Sequence, residues 1–140
     1  MKTSNYVVFT KTLFATLIVA TTLILSSCQK DSITDRVKRN VDDSEWSTTY
    51  YGNQYYLTFD DGEYELSYTY DGRRESIEGR YTQNGVNITF QEIVFYTSTS
   101  QKLKKGIISQ IGSTMVVPVY DSTTGDISYT LDFSLEHLDD

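Results

Sequence analysis

The sequence predicts an all-β domain: an eight-stranded antiparallel up-and-down meander that closes into a small barrel. The first sign is punctuation. Gly52-Asn53, Asp61-Gly62, Asp71-Gly72, Asn84-Gly85, Ile111-Gly112 and Thr124-Gly125 recur between apolar, β-branched and aromatic runs. Asp-Gly and Asn-Gly in that setting signal hairpins, because a type I′ turn needs φ > 0 at both central residues. The second sign is alternation. Tyr64, Leu66, Tyr68 and Tyr70 fall on one face, and Glu63, Glu65, Ser67 and Thr69 on the other. Ile127, Tyr129, Leu131, Phe133 and Leu135 repeat the pattern, as do Val86, Ile88 and Phe90 over a shorter span. A period of two over so many residues describes a sheet with one buried and one wet face.

Taken in order, the strand-forming runs are 46–51, 54–60, 63–70, 73–82, 86–95, 102–110, 113–120 and 126–136. Short turns make sequence neighbours pair in space, and the longest connection is expected around Thr97 to Gln101. Pro118 lies inside the seventh run, which implies an edge position or a bulge because proline donates no ladder hydrogen bond. A meander of this length hides its edges by closing on itself. About 95 residues make one domain.

An eight-stranded barrel is either filled by its own side chains or holds one small ligand. The inward candidates for a polar-lined pocket or mouth are Tyr55, Tyr64, Tyr68, Tyr81 and Tyr129, each with a hydroxyl that needs a partner when buried. Tyr50-Tyr51 and Tyr55-Tyr56 are adjacent pairs, so one of each pair faces outward. Trp46, Tyr51 and Tyr56 are the candidate surface aromatics, able to stack on a sugar ring or a protein partner.

Catalytic chemistry finds little to work with. His137 is the lone histidine and stands near the C-terminus, and Cys28 is the lone cysteine. Neither a Cys-His pair nor a His-rich metal site can be assembled from them. Asp60, Asp61 and Asp71 read as turn residues, and Glu63 and Glu65 lie on the wet face, which argues against a carboxylate pair for glycoside cleavage. The expectation is a non-enzyme with no cofactor and no metal.

The N-terminal segment gives location. Lys2 and Lys11 precede an apolar run from Leu13 to Leu25, followed by Ser26, Ser27 and Cys28. The run is short of the ~20 apolar residues that a spanning helix needs. Leu25-Ser26-Ser27-Cys28 resembles a bacterial lipobox, in which the cysteine is lipidated and becomes the mature N-terminus. The resemblance implies three parts: a signal peptide over 1–27, a lipidated N-terminus and flexible tether over 28–45, and the barrel over 46–140. The charged stretch from Asp31 to Ser44 is expected to be solvated and, fully extended, to reach ~45 Å. Without Lys2 and Lys11, 10 of the 12 basic residues face 19 acidic ones, a balance of −9. Such a domain has no use for nucleic acid, whose phosphates require clustered Lys and Arg. The membrane partner is reached through the lipid on Cys28.

Trp46, Tyr55-Tyr56-Leu57-Thr58-Phe59 before an Asp-Gly turn, Gly79-Arg80-Tyr81-Thr82 and Asn84-Gly85-Val86-Asn87-Ile88-Thr89-Phe90 together resemble the small lipocalin-like (calycin-type) lipoproteins of Bacteroidota. Gly106-Ile107-Ile108-Ser109 and Met115-Val116-Val117 fit the same scheme. Gln29-Lys30-Asp31 is similar to the export signal of surface lipoproteins in that group. Asp31-Ser32-Ile33 and Asp121-Ser122-Thr123 resemble its O-glycosylation sites, at Ser32 and Ser122. The resemblance implies a lipid-anchored protein of the outer membrane, exposed at the cell surface. Its barrel would bind a small amphipathic or surface ligand. The alternative is an interaction protein, an accessory subunit or host-facing antigen, with a filled barrel and no pocket.

Overall fold

The structure, a computed structural model, describes residues 32–139. A helix, α1 (Ser32–Arg39), leads into β1 (Ser44–Tyr50), β2 (Asn53–Asp60), β3 (Glu63–Tyr70) and β4 (Arg73–Asn84). β5 (Asn87–Phe90), β6 (Val94–Tyr96), β7 (Ser100–Leu103), β8 (Lys105–Ile108), β9 (Thr114–Asp121) and β10 (Ile127–Leu138) follow. Every pairing is antiparallel, and the ring runs β10-β1-β2-β3-β4-β5-β8-β9 and back to β10. β5 and β6 form one chain path interrupted at 91–93, and β7 and β8 another, interrupted at Lys104. The eight expected strands are therefore present, and they close as a barrel.

The turns follow the sequence grammar. Asp61-Gly62 and Asp71-Gly72 have φ of 47° and 79°, and 49° and 72°, as type I′ hairpins require. The connection after β6 is tighter than expected: Thr97 N–H donates to Thr99 O at 3.1 Å, and strand pairing resumes at Ser100. Pro118 pairs with Thr130 on one side. On its other side the ladder is broken between Val119↔Leu103 and Val116↔Ile107, so the missing N–H falls opposite the bulge at Lys104. Ile127, expected inward, is exposed because the β10 register shifts between it and Tyr129.

The wall is not uniformly paired. β4 meets β5 only over Tyr81–Asn84, and Gln91 N–H donating to Arg80 O at 2.7 Å is the last bond between them. Beyond it the Arg73–Gly79 edge of β4 and the β6 edge diverge. Arg73, Arg74, Glu75 and Glu78 are exposed on that stretch, charges of the kind that keep an open strand edge from pairing with other chains.

Rings fill the inside. Phe59, Tyr64, Tyr68, Phe90 and Phe95 are buried, with Tyr64 edge-on to Phe90 at 4.9 Å and Tyr68 tilted on Phe95 at 5.2 Å. Trp46, expected at the surface, is 0% exposed. Its strand parity turns it inward beside the buried Ser44, whose Oγ accepts from the indole Nε1 at 2.8 Å.

The charged stretch before Trp46 also differs from the solvated tether expected over 28–45. Residues 32–39 form α1, Val37 and Val41 are both fully buried, and β1 starts at Ser44. Gln83 on β4 fastens this segment. Its Nε2 donates to Val37 O at 3.1 Å and Lys38 O at 3.2 Å, and its Oε1 accepts from Val41 N at 2.8 Å. Asp42 Oδ1 accepts from Gly62 N at 3.1 Å and from the Tyr81 hydroxyl. All these contacts lie at one end of the barrel, which α1 and residues 40–43 close.

Gly79 stands directly across from Tyr64. A Cβ there would lie 2.8 Å from Tyr64 Cε1 and 3.0 Å from Ile93 Cγ1. The ring cannot swing aside, because its hydroxyl is held by Gln91 O at 2.8 Å. Gly79→Ala is expected to destabilise the barrel by about 1–3 kcal/mol. Urea unfolding measures this, and an unchanged midpoint would contradict the packing.

Candidate functional site

The end opposite α1 is built from the β1–β2 turn, the last residue of β3, the β6–β7 hairpin and the start of β10. They surround a cleft of about 300 Å³. Tyr50, Tyr51, Tyr55, Tyr70 and Tyr129 line it, with Asn53, Gln101 and the hydroxyl residues Thr97, Ser98, Thr99 and Ser128. Period-two geometry supplies most of this wall: Tyr55 and Tyr129 are the topmost inward positions of their strands, and Tyr50 and Tyr70 cap β1 and β3.

The floor is a hydrogen-bonded set. Tyr129 hydroxyl donates to Gln101 Oε1 at 2.8 Å, and Tyr55 and Tyr129 hydroxyls lie 3.2 Å apart. Thr97 Oγ1 donates to the same Gln101 oxygen at 3.1 Å. Above it, Tyr50 stacks on Tyr129 at 4.5 Å with 12° between planes, and Tyr51 meets Tyr50 edge-on at 4.7 Å. Tyr51 itself is 89% exposed at the tip of its hairpin.

The five inward tyrosines named from sequence are spread along the barrel rather than gathered at one place. Only Tyr55 and Tyr129 reach the mouth. Tyr68 hydroxyl donates to Tyr96 O at 3.1 Å, Tyr64 to Gln91 O, and Tyr81 to Asp42 at the closed end. These three serve the packed interior. Of the surface aromatics, Tyr51 and Tyr56 are exposed, and the Arg74 guanidinium sits 5.4 Å from the Tyr56 ring centre. Cys28 lies outside the described residues. Ser32 opens α1, and Ser122 is half-buried with its Oγ bonded to Ser100 Oγ.

Other hollows lie on the outer wall. One is bordered by Asp60, Glu63, Glu65 and Glu78, and a larger one of about 560 Å³ runs beside Gln83, Asn87, Lys105 and Ile107. The Gln83 amide is already occupied by α1 and Gly85 O. Among the described residues no group of three or more His, Cys, Asp or Glu is placed to hold a metal ion. Sequence reasoning missed Tyr50, Tyr70, Asn53 and Gln101. A tyrosine preceding Gly52, where Asn or Asp suits a type I′ turn, was the one local signal. Nothing local marks Gln101, a buried amide between strand residues.

Compared with known family models, curated proteins and solved structures, the chain matches none.

Burial holds the interior phenols in their neutral form. It pushes Tyr64 up from its ordinary 10 to about 12. It raises Tyr68 and Tyr129 as well, and Tyr81 also by the adjoining Asp42. A phenol whose folded pKa exceeds its unfolded one contributes stability that is complete below the unfolded value and lost as pH rises through the folded one. Their contribution to stability is therefore expected to persist up to pH 10 and to fall as pH climbs toward 12. Urea unfolding at stepped pH, with phenolate absorbance followed in parallel, checks it. Ionisation of these four phenols in a still-folded barrel would contradict it.

Proposed function

We propose that the protein is a lipid-anchored lipoprotein of the cell envelope whose barrel is a non-enzymatic binding module for a small ligand, taken at the mouth. The observation that carries this reading is the mouth cleft itself: a concave site of about 300 Å³ at the open end of an otherwise filled barrel. Small-ligand sites combine aromatic walls with a few placed polar groups, and this one has both. The sequence from Lys2 to Cys28 supports the anchor and, with Gln29-Lys30-Asp31, an outer-membrane location. The barrel supports kinship with the lipocalin-like lipoproteins of Bacteroidota.

A second reading, an interaction protein without a ligand, is favoured by the filled interior and by two exposed apolar side chains, Ile107 and Val116, paired across β8 and β9.

Native mass spectrometry of the full chain expressed in a bacterial envelope tests both parts. The expected spectrum lacks residues 1–27, carries lipid mass on Cys28, and shows a further non-covalent mass that denaturation releases. An unprocessed chain would remove the anchor. A consistently ligand-free mass would favour the second reading.

A further inference from the structure

We propose that the mouth cleft takes a neutral saccharide, with one pyranose face laid against the rim tyrosines. The proposal rests on the binding-module reading and names its ligand class.

Charge comes first. In a chain with 22% charged residues and a net charge of −7, not one residue lining this cleft carries a charge. A phosphate, carboxylate or ammonium ligand would lose its hydration here and meet no counter-charge, an unfavourable exchange. Aliphatic side chains are equally missing from the lining, so an acyl tail would have only ring faces and hydroxyls to contact. What remains is tyrosine, Ser/Thr hydroxyl and carboxamide. A pyranose has the complementary build: an apolar C–H face for a ring and an edge of hydroxyls for amides and phenols. A volume of about 300 Å³ is at the small end of ligand sites and suits one ring of a sugar.

A flat aromatic ligand fits less well. Tyr50 and Tyr129 already stack on each other at 4.5 Å, which leaves no slot between them. The rim offers single ring faces.

Tyr51 adds an independent argument. Its φ is 47°, the left-handed region, where Asp61 and Asp71 stand in the two equivalent hairpins. A bulky side chain in that region is disfavoured where Asn and Asp are tolerated. Burial does not compensate, since the ring is 89% exposed. Backbone conformations held against preference cluster at ligand sites. At the floor, Gln101 is only 3% exposed. Its Oε1 accepts two hydroxyls, whereas no described hydrogen bond uses its Nε2. No buried side-chain polar atom among the described residues is sealed without a partner, so this amide nitrogen keeps some exposure, on a residue that lines the cleft.

Saturation-transfer NMR on the full chain tests the assignment. The probes are methyl β-D-glucopyranoside, methyl β-D-galactopyranoside and N-acetyl-D-glucosamine, with D-glucuronate, hexanoate and adenosine as contrasts. The expected result is transfer to at least one neutral pyranoside, strongest on the C–H protons of one ring face. Tyr51→Asn is expected to weaken that binding about tenfold while leaving the melting temperature unchanged or raised, since Asn tolerates the turn. Lack of transfer to every neutral pyranoside overturns the saccharide assignment, as does a pyranoside affinity indifferent to Tyr51→Asn. Should glucuronate, hexanoate or adenosine bind instead and respond to Tyr51→Asn, the binding-module reading stands with another ligand class. If no probe binds, the saccharide assignment and the binding-module reading fall together, and the interaction reading takes their place.

Discussion

The barrel depends on phenol hydroxyls that bridge an unpaired stretch of its wall from the inside. β4 and β6 do not pair above Arg80 and Gln91, so the chain from 91 to 96 lacks a ladder on that side. Tyr64 and Tyr68, both on β3, reach past β4 on the inner face of the wall and donate to Gln91 O and Tyr96 O. Each bond does two things: it satisfies a buried hydroxyl, which is costly to leave alone, and it ties down a strand edge. Gly79 is the space that lets Tyr64 take this path, since a side chain there would occupy the position of its ring. Filling the lumen this way leaves the interior to structure and moves any ligand to the ends.

The two ends then differ in kind. At one, α1, Asp42 and the Gln83 amide seal the barrel with apolar burial and saturated hydrogen bonds. At the other, the hydroxyls of Tyr129 and Thr97 converge on Gln101, and the Tyr55 hydroxyl pairs with that of Tyr129. Charge divides likewise. Glu65 and Glu78 stand directly opposite each other on β3 and β4, and no acid lines the cleft at the mouth. A net negative charge with an uncharged cleft sets up a field that repels anions.

Much of the fold was legible because two local rules carry it. Glycine pairs located the Asp61-Gly62 and Asp71-Gly72 hairpins, and period-two alternation separated Tyr55 from Tyr56 and Tyr64 from Glu65. What local rules could not show was tertiary. Among the described side chains, Val37 in α1 and Val41 just after it are the apolar ones in a run of charges, and composition reads that as solvated; burial against a barrel end holds the segment. Trp46 looked like a surface ring because its partner, Ser44, lay in the stretch taken for tether. The site was half visible for a similar reason. Tyr55 and Tyr129 follow from parity, but which inward tyrosine lies at the mouth and which at mid-barrel depends on strand length and register. Gln101 gains its place only once β7 has met β9.

The Tyr64 and Tyr68 hydroxyls can be observed directly. NMR of the full chain with ring-labelled tyrosine would detect phenol hydroxyl protons protected from exchange with water. Resolved, slowly exchanging hydroxyl signals are expected for Tyr64 and Tyr68, with nuclear Overhauser contacts to residues 91 and 96. Hydroxyls in fast exchange, with no contact to those residues, would mean a hydrated lumen and would contradict the filled barrel on which the assignment of the mouth rests.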